Sequence, residues 1–236
     1  MKALILNSGM GSRMGDATKA APKCMSVLHD DETILSKQIS MLLSKGITEF
    51  VITTGAHRDV LVQYAQKTFP DVRFTFVHNE IYDKTNYIYS IYLARQVLAD
   101  DILLMHGDLI FDEKTLDQVL NSPDSCGVTD FTAALPEKDF KAVIKNNKIV
   151  KVGIEFFEDA VAFQPLYKLN KSDWLCWLTA IESFCADGNT KVYAENALNT
   201  ITDTIRLVPM DIAGGLCQEV DTVEDLVAIR EKLCRI

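Results

Sequence analysis

Four short stretches of this chain hold residue types that could handle phosphate groups. The first is Leu6-Asn7-Ser8-Gly9-Met10-Gly11-Ser12-Arg13, the end of an apolar run and the loop that follows it. Gly9 and Gly11 remove side chains that would block an anion, so backbone N–H groups can point at it. Arg13, and Lys23 directly after Pro22, are fixed cations for charge that main-chain dipoles leave unneutralised. Such a loop suits a nucleoside triphosphate. It lacks the Gly-Lys-Ser/Thr ending of a P-loop, and no Gly-x-Gly-x-x-Gly is present. The plainer alternative is a strand-to-helix turn that uses glycine for geometry alone.

The next two stretches are acidic. Asp108 follows the apolar run Ile102-Leu103-Leu104-Met105 and the pair His106-Gly107. A carboxylate there suits Mg²⁺, which takes a few carboxylates plus phosphate oxygens; a helix cap is the alternative. Glu219 and Asp221 flank Val220 and share one face of a strand. Either or both would complete a metal site with Asp108, and Asp221 is also a cap candidate. The fourth stretch, Lys138-Asp139-Phe140-Lys141, is either a solvated face or a place for a phosphonate or phosphate. Phe157, Glu158, Tyr167, Trp174, Trp177, Tyr193, Glu195 and Asn196 add rings and polar groups for a cationic head group. A quaternary ammonium favours aromatic faces, whereas a primary ammonium wants directed acceptors. Trp174 and Trp177, at helical spacing, also read as core.

The elements that must position these residues alternate. Ile34 to Leu42 forms an apolar helical stripe that stops at Gly46. Glu49 to Thr54 is a β-branched strand ending at Gly55, and Val60 to Ala65 continues as a helix. Val72 to Val77 is the next strand, Ile88 to Ala99 is helical, and Ile102 to Met105 is a fully apolar strand. Strands alternating with helices predict an α/β fold with a mostly parallel, Rossmann-like sheet covered on both faces. Ligands of such sheets bind outside the carboxyl ends of the strands, which puts the glycine loop, Gly55 and Asp108 on one rim.

The second half changes character. Phe131 to Ala134, Ala142 to Lys145 and Lys148 to Val152 read as short strands, the last two joined by Asn146-Asn147 in a hairpin turn. Ala160 to Phe163 leads to Pro165, and Asp173 to Ala186 reads as a helix. Ile205 to Val208 and Leu216 to Val220 return to strand. Val223 to Leu233 is a terminal helix with Asp221 and Thr222 as cap candidates. The expected organisation is a single domain over 1–236: a nucleotide-binding core over 1–128, a small mixed acceptor or lid subdomain over 129–203, and return strands with a terminal helix over 204–236.

At 236 residues the chain can bury a full core. Its formal charge of -9 argues against nonspecific nucleic-acid binding, which rests on Lys and Arg. No apolar run is long enough to span a bilayer, and no signal peptide is recognised. The six cysteines are scattered without metal-like spacing, which fits reduced thiols in the cytoplasm. The oligomeric state stays open, a homo-oligomer included.

The order Gly9-x-Gly11-x-Arg13, then Pro22-Lys23, resembles the signature of the nucleotidyltransferases that activate sugar phosphates and small phospho-alcohols. Glu219-Val220-Asp221 with Asp225-Leu226 resembles the closing motif of the same group. The stretch from His78 to Arg95, with Asn86 and Tyr89-Ser90-Ile91-Tyr92-Leu93, resembles the cytidylyltransferases acting on phosphocholine and 2-aminoethylphosphonate. Asn7-Ser8 stands where Ala-Ala is usual, and Tyr87 where a second asparagine is common. The resemblance implies the nucleotide-diphospho-sugar transferase fold and transfer of CMP from CTP to a small zwitterionic phosphonate or phosphate, with Mg²⁺ as cofactor. It implies that the loop from Leu6 to Arg13 holds the nucleotide with Lys23, Gly55, Asn86 and Ser90. Lys23, Arg13 and Asp108 become the catalytic residues, and Glu195, within Tyr193 to Asn199, becomes an acceptor contact. Two rivals remain: a sugar-1-phosphate nucleotidyltransferase, and a regulatory module that binds nucleotide without turnover.

Overall fold

The computed structural model describes residues 1–234, apart from the side chains of Ser12, Asp16 and Ala17. Its centre is a nine-stranded sheet. β1 (Lys2–Asn7) lies between β4 (Glu49–Thr54) and β6 (Ile102–His106), parallel to both, and β5 (Arg73–His78) extends the parallel run beyond β4. β1 is apolar and buried from Ala3 onward because helices cover both of its faces. Leu6 is level with Thr53 on one side and His106 on the other. The carboxyl ends of three strands therefore open at the same height.

β11 (Ala160–Leu169) carries the sheet past β6 in the antiparallel sense. It also receives β8 (Ser125–Asp130) and β9 (Lys141–Lys145), and β9 pairs with β10 (Lys148–Gly153). β12 (Leu207–Asp211) closes the β8 edge. The expected strand does not stop before Pro165. It runs through, and the β11–β8 register slips between Gln164 and Tyr167. Proline has no N–H for the ladder, so a bulge there absorbs it. Asn146 and Asn147 both have positive φ, 52° and 56°, as the two-residue turn between β9 and β10 requires.

One departure from expectation is Phe131 to Ala134, which forms no strand. The Asp130 carboxylate accepts from the Thr132 N–H, the Thr132 hydroxyl and the Ala133 N–H, and this local turn ends β8. The real strand is the preceding Ser125–Asp130.

α3 (Tyr87–Ala94), α5 (Lys171–Ala186) and α6 (Ala194–Leu198) cover one face of the sheet, with Trp174 and Trp177 buried among them. The indole N–H groups donate to Leu98 O and Ala194 O, so both tryptophans are core. α1 (Ile34–Ser44), α2 (Arg58–Thr68) and α4 (Glu113–Leu120) add their apolar side chains to a second cluster with β1, β4 and β6. α7 (Val223–Leu233) joins Met14, Leu28 and Ile34 in a third, smaller cluster. Among the described residues no helix is long and apolar enough to cross a membrane.

Candidate active site

The glycine loop leaves β1 at its carboxyl end and returns through a 3₁₀ segment at Ser12–Thr18. Gly11 has φ of 63°, a conformation that favours glycine. Its carbonyl accepts from the Met14 N–H and the Thr18 hydroxyl, which locks the loop. Pro22 precedes a second 3₁₀ turn, Lys23–Met25, which begins with Lys23. Across from both runs a two-stranded ribbon of β7 (Leu109–Phe111) and β13 (Cys217–Glu219). Its register sets Glu219 opposite Leu109, and the Val220 N–H donates to Asp108 O. That pairing brings the two acidic motifs, far apart in sequence, to one place.

These parts enclose a cavity of about 330 Å³. Leu6, Asn7, Gly9, Met10, Gly11 and Arg13 line it, together with Lys23, Asp108, Glu219 and Asp221. Lys138, Asp139, Phe140, Tyr193, Asn86 and Tyr87 line it as well. Arg13, Lys23 and Asp108 thus share one cavity, as the strand-end reading expected. Ser12, counted with the loop in sequence, has its side chain outside the described residues.

The charges pair tightly. The Lys23 ammonium meets Asp108 Oδ2, and lies 2.7 Å from Asp221 Oδ1. Arg13 lies 2.8 Å from Asp221 Oδ2. Burial alone would lower the Lys23 pKa, but the neighbouring Asp108 and Asp221 carboxylates outweigh it and hold it above the usual lysine value. Asp221 is therefore placed against both cations, and it does not cap α7; Thr222 does, in a reciprocal box with Asp225. Glu219 takes a different place. Its Oε1 is 2.8 Å from His106 Nδ1.

Ligand atoms of His106, Asp108 and Glu219 lie within 4.8 Å of one another. Asp108 Oδ1 and His106 Nε2 are buried there without a hydrogen-bond partner. An unmatched lone pair on the Asp108 carboxylate and another on the imidazole, with the Glu219 carboxylate beside them, fit a divalent cation, and the carboxylate oxygens suit Mg²⁺. His106 was not singled out by sequence reasoning. Its signal was present: it stands two residues before Asp108 at a strand end, on a rim already assigned to ligand.

Other expected contacts fall elsewhere. Gly55 serves packing and not the main cavity: a Cβ there would sit 2.5 Å from the Ser8 carbonyl oxygen. Ser90 is buried behind the loop, and its hydroxyl donates to Ser8 Oγ at 2.7 Å. Ser8 itself lines an adjoining cavity with Asn79, Tyr82, Thr85 and Asn86. Lys141 is withdrawn from the site: it is fully buried and donates to Pro136 O at 2.7 Å, over the Phe157 ring. Desolvation lowers its pKa accordingly. Glu195 lies beneath the cavity wall, where its carboxylate accepts from the Tyr87 and Tyr167 hydroxyls. It holds Tyr87 in place and does not line the cavity. Lys138 and Tyr193 do line it.

A solved structure of the CTP:phosphocholine cytidylyltransferase of Streptococcus pneumoniae superposes with a TM-score of 0.78 at 19% identity, covering 98% of each chain. The nucleotide-diphospho-sugar transferase fold is thereby borne out. Among curated relatives, the CTP:phosphoglutamine cytidylyltransferase of Campylobacter jejuni is 29% identical over 134 residues, 54% of this chain and 51% of that protein. The CMP-5'-(3-aminopropyl)phosphonate synthase of Streptomyces rubellomurinus is 27% identical over 54% of this chain and 20% of its own length. The alignments thus span about half of one relative and a fifth of the other. The profile of the MobA-like NTP transferase domain matches residues 3–163, the stretch that carries the glycine loop, Lys23 and Asp108, and the chain belongs to that family.

Proposed function

We propose that this chain transfers CMP from CTP to a small zwitterionic phosphonate or phosphate and releases pyrophosphate, with Mg²⁺ as cofactor. The observation that carries the reading is the single cavity in which the glycine loop, Arg13, Lys23 and the Asp108–Glu219 pair face Lys138 and a group of aromatic rings. The names of the relatives, which join CTP or CMP to phosphorylated or phosphonylated compounds, support the nucleotide.

The attacking group in this reaction is a phosphonate or phosphate oxygen that is already an anion, so no general base is needed. The protein's work is to bring two anions together and to screen the charge that develops. The backbone of Ser8 to Gly11 cradles the triphosphate. Lys23 stabilises the α-phosphoryl group as its phosphorus is attacked, and Arg13 holds the departing pyrophosphate. Asp108 and Glu219 would hold the divalent ion, whose chemistry is to neutralise phosphate oxygens. His106 orients Glu219 through the Nδ1 hydrogen bond. Binding the nucleotide requires Arg13 and Lys23 to exchange Asp221 for phosphate oxygens.

For the acceptor, Lys138 is suited to the anionic end. Phe140 and Tyr193, with ring centroids 5.1 Å apart, and Tyr87, 5.9 Å from Tyr193, are suited to an ammonium, with Asp139 beside them. We place 2-aminoethylphosphonate first and phosphocholine next.

A panel pairing each nucleoside triphosphate with candidate acceptors, read as Mg²⁺-dependent pyrophosphate release, tests this. Turnover is expected with CTP and an ammonium-bearing phosphonate or phosphate. Preferential turnover of a sugar 1-phosphate, or nucleotide binding with no product from any acceptor, would overturn it.

A further inference from the structure

The loop that carries Lys138 and Asp139 into the cavity passes over the end of a single strand. Ala162 of β11 is level with Asp130, the last residue of β8, on one side and with Lys141, the first residue of β9, on the other. Two strand spacings, about 10 Å, separate those flanking residues. Residues 131–140 bridge the gap, although about three extended residues would reach across it. So long a loop needs ties of its own. Its first half has one, because the Asp130 carboxylate accepts from the Thr132 and Ala133 N–H groups. Among the described residues its second half, 134–139, has no main-chain hydrogen bond to any strand or helix. Lys141 holds it instead. The ammonium donates to Pro136 O at 2.7 Å and to Glu137 O at 3.4 Å. It also lies 4.1 Å from the centre of the Phe157 ring, which comes from the segment between β10 and β11.

A lysine is a costly residue for that place. Lys141 is 0% exposed, and among the described residues no carboxylate pairs with it. Asp139 and Glu155 favour its charge only from a distance. An apolar side chain of similar length would fill the space without burying a charge. What such a side chain could not supply is donors, and here the ammonium spends them on two carbonyls and a ring face. We infer that Lys141 is a positioning residue for the acceptor: it latches the Pro136–Glu137 turn, and the next two residues, Lys138 and Asp139, thereby keep fixed places in the cavity. This rests on the acceptor reading above. Lys141 does not itself line the cavity. The glycine loop, Arg13 and Lys23 are tied by contacts that do not involve the latch, so it bears on the acceptor and not on the nucleotide.

The experiment compares the unaltered chain with Lys141→Met and Phe157→Leu, all with Mg²⁺. It measures kcat, the KM for CTP, the KM for 2-aminoethylphosphonate and for phosphocholine, and the rate of tryptic cleavage after the exposed Lys138. Lys141→Met keeps a long side chain and removes the charge and the donors. It should raise the acceptor KM about tenfold, the effect of one lost charge-assisted hydrogen bond. The KM for CTP and kcat should stay within about twofold, and cleavage after Lys138 should quicken. Phe157→Leu removes only the ring face and should move acceptor KM and cleavage in the same direction by about threefold. Should Lys141→Met fail to fold, Phe157→Leu decides. Acceptor KM and cleavage unchanged in these variants, or acceptor and CTP KM rising together, would overturn the latch while leaving the cytidylyl reading intact. Failure of the unaltered chain to turn over either acceptor would overturn the acceptor reading itself and the assignment with it.

Discussion

Lys23 has two jobs that can be separated by experiment. With nucleotide bound it screens the reacting phosphates; without it, it neutralises Asp108 and Asp221. Lys23→Ala should lower turnover ~100-fold or more, as loss of one preorganised charged contact does. Lys23→Met should also leave the Asp108 carboxylate, 18% exposed, without its cation, beside Asp221, which keeps Arg13. After allowance for partial screening that costs about 1–3 kcal/mol of stability in the metal-free protein. Thermal unfolding should show a lower midpoint for Lys23→Met and a larger rise on adding Mn²⁺ than in the unaltered chain. Equal Mn²⁺ effects in the two proteins would mean that Lys23 does not compete with the cation for Asp108. The same scale explains what the sequence could not disclose. Lys23, Arg13 and Asp108 were legible because their motifs sit at strand ends. Glu195 and Lys141 were not, because a side chain's direction into the core or out of it depends on neighbours that are distant in sequence. Glu195 is turned inward by two tyrosine hydroxyls and Lys141 by two backbone carbonyls.

At the scale of elements, the ribbon of β7 and β13 and the start of α7 act as one clamp on the acidic wall. Thr222 caps α7: its hydroxyl accepts from the Asp225 N–H, and Asp225 accepts from the Thr222 and Asp221 N–H groups. The cap therefore also fixes the backbone of Asp221, which faces Arg13 and Lys23. Thr222→Ala should cost ~0.5–2 kcal/mol in urea unfolding, the usual cost of a lost N-cap. It should also raise the KM for nucleotide, and a change in stability with no change in KM would separate the cap from the site. Val223–Leu233 was legible as a helix because cap and apolar spacing agree. β8 was not, because Ser-Cys-Gly-Val-Thr-Asp has little β-propensity and a central glycine. It is a strand because β11 and β12 pair with it on both sides, a fact of tertiary structure. The apolar run Phe131 to Ala134 misled for the converse reason: a turn held by the Asp130 carboxylate overrides local hydrophobicity.

The whole molecule is acidic, at -9, and four of its carboxylates, Asp108, Asp139, Glu219 and Asp221, line one cavity with Arg13, Lys23 and Lys138. This gives the protein a pH dependence whose sign depends on the divalent ion. For His106, burial lowers the pKa, but the Glu219 hydrogen bond and the charges of Glu219, Asp108 and Glu195 outweigh it and raise it above the ordinary 6.5. For Glu219, burial and repulsion from Asp108 raise the pKa above 4.5, against the opposing pull of His106. Both partners move upward, so the pair holds its proton to higher pH when folded than when unfolded. A raised folded-state pKa contributes stability that is complete below the unfolded value and disappears as pH rises through the folded one. The metal-free protein should therefore lose stability from weakly acidic pH upward, a trend that self-repulsion of the acidic chain reinforces. A divalent ion competes with those same protons, so its binding should strengthen over the window in which the metal-free protein weakens. Unfolding midpoints measured from pH 5 to pH 8 with EDTA and with saturating Mg²⁺ should accordingly diverge as pH rises. Glu219→Gln removes the competing carboxyl and should narrow the gap between the two curves. Parallel curves in the unaltered chain would show that no ion binds through Asp108 and Glu219, and the division of labour drawn for the acidic wall would have to be abandoned.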